Sequence, residues 1–138
     1  MSRQVVRWAN YHVPVSTFTQ AVVVPAGSDL VFVSGITARQ GADGDLLRGG
    51  DIVAQSRLIL ENMRSILAEA GATLDDVVKT TTFVRDADQI DRYRTVRDEF
   101  FGATPPASSI VEVSRLYDPA MLVEVEAIAA VRGRKDGA

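Results

Sequence analysis

Two stretches of helical periodicity set among short β-rich segments predict an α+β fold. The helical stretches run from Asp51 to Ala70 and from Asp88 to about Phe101. The chain order is strands, helix, strand, helix, strand, strand, and two amphipathic helices can cover only one face of such a sheet. The 138 residues, 46% hydrophobic and 24% charged, suit one compact domain spanning 1–138 with one core.

Each element has a local cause. Residues 3–9 (RQVVRWA) read as a short strand. FTQAVVV reads as a second, bracketed by Pro14 and the turn Pro25-Ala-Gly-Ser-Asp29. Leu30-Val-Phe-Val-Ser-Gly35 is rich in β-branched and aromatic residues, as strands are. Arg39 to Asp45 reads as a turn-rich loop. In the first helix Ile52, Ile59, Met63, Ile66, Leu67 and Ala70 recur at three- and four-residue spacing and build one apolar stripe. Gly71 then suits a position of positive φ at the helix end. Thr73-Leu-Asp-Asp76 has capping-box spacing and predicts a short turn. Val77 to Val84 (VVKTTTFV) is a strand. Asp88 is the expected cap of the second helix, with Ile90, Tyr93, Val96, Phe100 and Phe101 as its apolar face and Gly102 as its end. Strands near 107–115 and 121–131 follow, and the final RGRKDGA reads as a frayed tail. Trp8 is expected to pack, and His12 to lie at the surface or in a loop.

Composition narrows the chemistry. The formal net charge is -3, which speaks against nucleic acid as a partner. With no cysteine, disulfides, thiol nucleophiles and thiolate metal sites are excluded. A single histidine, His12, argues against a histidine metal site or a Ser-His-Asp triad. We therefore expect no metal and no cofactor. No apolar run approaches the roughly 20 residues a membrane span requires. The N-terminal MSRQVVRWANYHV lacks the apolar region of a signal peptide, so a cytoplasmic location is expected.

The last strand says what the uncovered face of the sheet does. Met121, Val123, Val125, Ala127 and Ala129 point one way; Leu122, Glu124, Glu126 and Ile128 point the other. Carboxylates mixed with large apolar groups suit a wet subunit interface better than a closed core or a free surface, and predict a homo-oligomer.

A series of segments in fixed order carries a family resemblance. They are Phe18-Thr-Gln-Ala21, Leu30-Val-Phe-Val-Ser-Gly35, Gly50-Asp-Ile-Val-Ala-Gln55 with Leu60-Glu-Asn62, Asp75-Asp-Val-Val-Lys-Thr-Thr81, Phe100-Phe101, Pro106-Ala107 with Val111-Glu-Val113, and Val123-Glu-Val-Glu-Ala-Ile-Ala129. Together they span about residue 16 to residue 131 and resemble the Rid/YjgF (reactive intermediate deaminase, endoribonuclease L-PSP) family. The resemblance implies a chorismate-mutase-like fold, a mixed six-stranded sheet with two helices on one face. It also implies a homotrimer with a small-molecule cleft at each subunit interface. In deaminating members an interface arginine clamps the carboxylate of an enamine or imine formed when pyridoxal-phosphate enzymes dehydrate serine or threonine. A glutamate and a serine help position the hydrolytic water, and the products are a 2-oxo acid and ammonia.

Residue by residue, the strand serine of that pattern matches Ser34, followed by Gly35, and the late-strand glutamate matches Glu124. The arginine of the family's Pro-Ala-Arg-Ser run falls on Ser108 and the cysteine two residues on falls on Ile110. The early tyrosine falls on Phe18 and the helix asparagine on Arg94. A guanidinium grips a carboxylate in a planar, bidentate way, and a serine hydroxyl does not. Losing such a contact in a partly dry cleft costs about 2–5 kcal/mol. Arg94 is the first candidate for a relocated cation and Arg97, nearer the middle of the same helix face, the second. Either could instead be solvated or paired with Asp91, Asp98 or Glu99. Glu124, among apolar groups, could act as general acid/base or hold a water; an interface glutamate bonded for assembly alone is the alternative. Ser34 can give or take one hydrogen bond to a ligand, or be a strand serine satisfied by backbone; Ser108 and Ser109 offer hydroxyl or backbone N–H groups, with no neighbouring base in sequence to make a nucleophile. Phe18 leaves a flat apolar wall. The residues thus admit a metal-free and cofactor-free hydrolase of an imine, enamine or related molecule, or a trimer that binds a small metabolite without turnover. An endoribonuclease is the weakest third reading.

Overall fold

A computed structural model of the chain describes residues 3–11 and 18–133. Ten regular elements follow in order: β1 (Gln4–Val6), β2 (Ala21–Val23), β3 (Asp29–Ile36), β4 (Arg39–Gln40), β5 (Asp45–Leu46), α1 (Ile52–Glu69), β6 (Val77–Val84), α2 (Ile90–Phe101), β7 (Ala107–Glu112) and β8 (Val123–Val131). Single 3-10 turns at Leu74–Asp76 and Ala87–Gln89 lead into β6 and α2. The α+β class and the two long helices are as predicted.

The main sheet has four strands in the order β3-β8-β6-β7. β8 is antiparallel to both its neighbours, whereas β6 and β7 run parallel, joined by the crossover through α2. The sheet is therefore mixed, as expected, but four strands rather than six share its ladder. β1 and β2 pair only with each other, Gln4 opposite Val23. The turn after β2 closes on Ser28, whose N–H and hydroxyl both donate to the Pro25 carbonyl, with Gly27 at a φ of +86°. The ribbon is moored at the β7 edge instead. Thr19 forms a parallel bridge with Ala107 and donates to the Pro106 carbonyl, and Arg3 donates to the Val77 and Pro105 carbonyls. The turn-rich segment after β3 holds one further small hairpin, β4 with β5. Trp8 is 62% exposed and does not pack as expected: the ribbon it follows covers too little surface to bury it. His12 and the end of the basic tail lie outside the described residues.

α1 is capped as its sequence dictates. The Asp51 side chain accepts from the Ala54 N–H at 2.9 Å, and Gly71 just past the end takes a φ of +74°. α2 departs from expectation. Asp88 does not cap it; Asp86 does the capping one turn earlier, accepting from the Asp88 N–H at 2.9 Å and starting the 3-10 turn that runs into Ile90. Both helices lie on one face of the sheet. Ile59, Leu60, Met63 and Leu67 of α1 and Tyr93, Val96 and Phe101 of α2 bury against Val123, Val125, Ala127 and Ala129 of β8. The alternation along β8 is the one the sequence predicts. Buried Gln55 ties the core to the approach to β8: its side-chain N–H groups donate to the Leu47 and Ala120 carbonyls, and its oxygen accepts from the Leu122 N–H.

Surface ion pairs cross between the helices, Arg92 with Asp51 at 2.8 Å and Arg57 with Glu99 at 2.6 Å. Asp51 is held below its ordinary value of 3.8 by the Ala54 N–H first and by Arg92 second. Arg57 lowers Glu99 from 4.5, and the Ala120 N–H followed by Arg48 lowers Asp118 from 3.8. A carboxylate whose folded value is depressed contributes stability that is complete above its ordinary value and lost as pH falls through the folded one. We expect the urea midpoint to stay level near neutral pH and to fall as the pH drops below 4.5 and then 3.8. Asp51→Asn should blunt that fall; a profile unchanged by the substitution would show the cap is not titrating.

Candidate functional site

The residues singled out in the sequence gather in two places. The first is the exit of β3. The ladder between β3 and β8 shifts register between Val33 and Ile36, so Ser34 and Gly35 sit together in a bulge. Glu124, on the open face of β8, lies beside that bulge on one side and opposite Phe83 on the other. A Cβ added to Gly35 would fall 2.1 Å from Glu124 Oε2. The carboxylate therefore rests directly on glycine backbone, and only a residue without a side chain lets it lie there. Ser34 and Gly35 also line a shallow hollow against Asn62, Ser65 and Ile66 of α1.

The second place is β7. Ser108 stands in register with Thr80, and Ile110 with Thr82, on the helix-covered face. Thr80 Oγ1 donates to Ser108 Oγ at 3.1 Å and Arg97 Nη1 donates to the same oxygen at 3.2 Å. Arg97 Nε lies 3.5 Å from Asp98 Oδ1. Ile110 packs against the core. Phe18 is half-buried and immediately precedes Thr19, which bridges to Ala107, so it enters this side too. One pair along, Thr82 donates to the Tyr93 hydroxyl at 2.8 Å, and burial pushes that phenol up from its ordinary 10.0. Ser109 faces the other way and accepts from Lys79 at 3.0 Å.

The two expected cations part company. Arg94, with its side chain 35% exposed, donates to Asp91 on its own helix at 3.1 Å. Arg97 is 1% exposed and reaches Ser108. Sequence reasoning ranked Arg94 ahead because it sits at a position that lines the cleft in relatives. The helical spacing of Arg97 from Tyr93 and Phe101, both fully buried, was the signal for the other choice. Thr80 escaped notice altogether, although alternation along VVKTTTFV places Thr80 and Thr82 on the buried face.

One protomer does not close these halves into a pocket. β3 and β7 are the two outer strands of the main sheet, with Glu124 on its open face and Ser108 on its helix face. Among the described residues no three His, Cys, Asp or Glu side chains cluster to hold a metal ion, and no helix is long and apolar enough to cross a membrane.

Comparison with known proteins places the chain's sequence and fold in one group. The profile of the family described as Endoribonuclease L-PSP matches residues 10–131. A RutC family protein of Pyrococcus abyssi is 36% identical over 129 residues, covering 94% of this chain and 98% of that protein. The 2-iminobutanoate/2-iminopropanoate deaminase of Salmonella typhimurium is 42% identical over 85 residues, 59% of this chain and 66% of that one. Among solved structures, the Rid-family protein YyfB of Yersinia pestis, itself of unknown function, superimposes with a TM-score of 0.83 at 30% identity, over 95% of this chain and all of that one. By sequence and by fold alike, this chain belongs to the Rid/YjgF family, the endoribonuclease L-PSP family of the matching profile.

Proposed function

We propose that this chain is a cytoplasmic homotrimer that binds a small 2-imino or 2-enamino acid between protomers and hydrolyses it to a 2-oxo acid and ammonia, with no metal or cofactor. The observation that carries the reading is the division of the site. Ser34 and Gly35 lie on outer strand β3 with Glu124 beside them on β8, and Ser108 and Ile110 lie on outer strand β7 with Arg97 of α2 and Phe18 on that side. Two such edges complete one another when the β3 side of one protomer meets the β7 side of the next. The exposed Leu30 and Phe32 of β3 give that meeting an apolar seat.

The chemistry balances without outside help. An enamino acid first takes a proton from solvent at C3 and becomes the iminium. Water adds to the iminium carbon, with Glu124 taking its proton, to give a carbinolamine. Glu124 returns that proton to the nitrogen, then takes the hydroxyl proton as the C–N bond breaks and the carbonyl forms; the departing ammonia carries this proton away as ammonium and leaves Glu124 ionised. Ser34 is placed to orient the water or the nitrogen. The apolar Phe18 and Ile110 exclude bulk water from the carbon skeleton and suit short alkyl groups. Arg94, in the first half of α2 with its side chain 35% exposed and paired with Asp91, adds positive charge that can draw anions toward the cleft.

The test is direct. A pyridoxal-phosphate dehydratase acting on serine supplies 2-aminoacrylate, and ammonia release is followed with and without the chain. We expect faster release with the chain, and a Glu124→Gln variant slower by about 100-fold, the range for loss of a general acid/base. No acceleration by the unaltered trimer, with a small carboxylate still bound, would leave a binding protein without turnover.

A further inference from the structure

Arg97 is among the largest fully buried side chains of the protein, although its guanidinium is permanently charged. It and the buried Thr80 both donate to Ser108 Oγ. A serine hydroxyl has two acceptor lone pairs and one proton. Arg97 can only donate, so the Ser108 proton never points at it; with Thr80 donating to the second lone pair, that proton is left for a third partner. Ser108 itself is half-buried, so of the three it is the one that a ligand reaches. Asp98, a third exposed and 3.5 Å from Arg97 Nε, offsets part of the charge from the far side of the guanidinium rather than through Ser108.

We propose that Arg97 and Ser108 act as one anion-recognition relay: the Ser108 hydroxyl donates to a single carboxylate oxygen, and Arg97 is the positioning residue that aims the hydroxyl and sets a positive charge behind it. The inference deepens the shared-cleft reading above and rests on it. It names the ligand as a small monocarboxylate gripped at one oxygen, not two. A buried charge acts through a medium of low dielectric, so the field at Ser108 persists although the guanidinium never touches the ligand. The uncharged counterpart of such a ligand keeps the hydroxyl contact and gains nothing from the charge.

Pyruvate and its amide, pyruvamide, separate these contributions. Calorimetric titration of the full chain with each probe is run on the unaltered protein, Arg97→Met, Arg97→Lys, Ser108→Ala and the double variant Arg97→Met/Ser108→Ala, alongside light scattering for oligomeric state. We expect pyruvate to bind about tenfold or more weakly to Arg97→Met and to Ser108→Ala. Arg97→Lys recovers part of the loss. Pyruvamide binding is unaltered by Arg97→Met, and the double variant is no weaker for pyruvate than the weaker single one. Equal losses for both probes in Arg97→Met, or losses that add in the double variant, overturn the relay and make Arg97 a packing residue. If Arg97→Met does not fold, Arg97→Lys and the half-exposed Ser108→Ala carry the comparison. A trimer that binds pyruvate but ignores all these substitutions overturns the relay alone. A monomer, or an unaltered chain that binds neither probe, overturns the shared cleft and the relay together.

Discussion

A Phe32→Glu chain is expected to remain folded, to run as a monomer and to lose its hydrolytic activity. Phe32 is 72% exposed on β3, opposite Ile128 of β8 and two residues from the half-exposed Leu30. An outer strand with an exposed aromatic and an exposed aliphatic on one face, beside the carboxylates of β8, is a surface that water covers poorly. An aromatic side chain buries roughly 150–250 Å². At about 25 cal/mol per Å² that is on the order of 4–6 kcal/mol for full burial, and somewhat less here because part of the ring is already covered. A glutamate in its place forfeits that gain and adds the cost of desolvating a charge. Three equivalent interfaces lose it together in a trimer. Because the ring touches little of its own protomer, thermal unfolding of the monomer should change by no more than a surface substitution does, about 0.5 kcal/mol. Light scattering at micromolar concentration gives the answer. A Phe32→Glu trimer would mean that the open sheet face is not where protomers meet, and the divided site would then have no way to close.

Elements whose residues carry the period of the element were legible without coordinates. The stripe of α1, the alternation of β8 and the glycine at position 71 each have a local cause. The four-stranded ladder was not legible, because β1 and β2 are three residues long and their placement depends on Thr19, Arg3 and the carbonyls of 105–106, which share no pattern with them. The start of α2 was missed for a related reason: Asp86 and Asp88 are both competent caps, and only the path leaving β6 decides between them. At the site, the resemblance nominated Ser34, Gly35, Glu124 and Ser108, but their faces and edges needed the sheet. Alternation places Glu124 and Ser108 only within their own strands. That they stand on opposite faces, near opposite edges, follows from strand order, which no local pattern encodes. Arg97 shows the same limit: its place on the apolar face made it a candidate, but its partner, the Ser108 hydroxyl on β7, follows only from how α2 packs on the sheet.

Gly35→Ala is expected to cost about as much activity as removing the Glu124 carboxylate while leaving the fold intact. Glycine here does not serve a left-handed backbone, since Gly35 is not among the residues of positive φ. Alanine can therefore take the same backbone path, and its effect falls on the neighbour. The new methyl carbon would lie 2.1 Å from Glu124 Oε2, 2.9 Å from its Cδ and 3.2 Å from its Cγ. All three atoms belong to a flexible side chain, so the conflict is relieved by swinging the carboxylate away rather than by unfolding the strand. A displacement of about 1 Å at a reacting group costs on the order of 100-fold in rate. Ammonia release from 2-aminoacrylate should accordingly fall by about that factor in Gly35→Ala, with the unfolding midpoint nearly unchanged. The decisive measurement is the combination. If Gly35 matters only through where it lets Glu124 lie, adding Gly35→Ala to Glu124→Gln should cost little more, because the group it displaces is already inert. Losses that multiply would show that the glycine backbone has a role of its own in contact with the ligand, and an unchanged rate in Gly35→Ala alone would remove Glu124 from the proton transfers assigned to it.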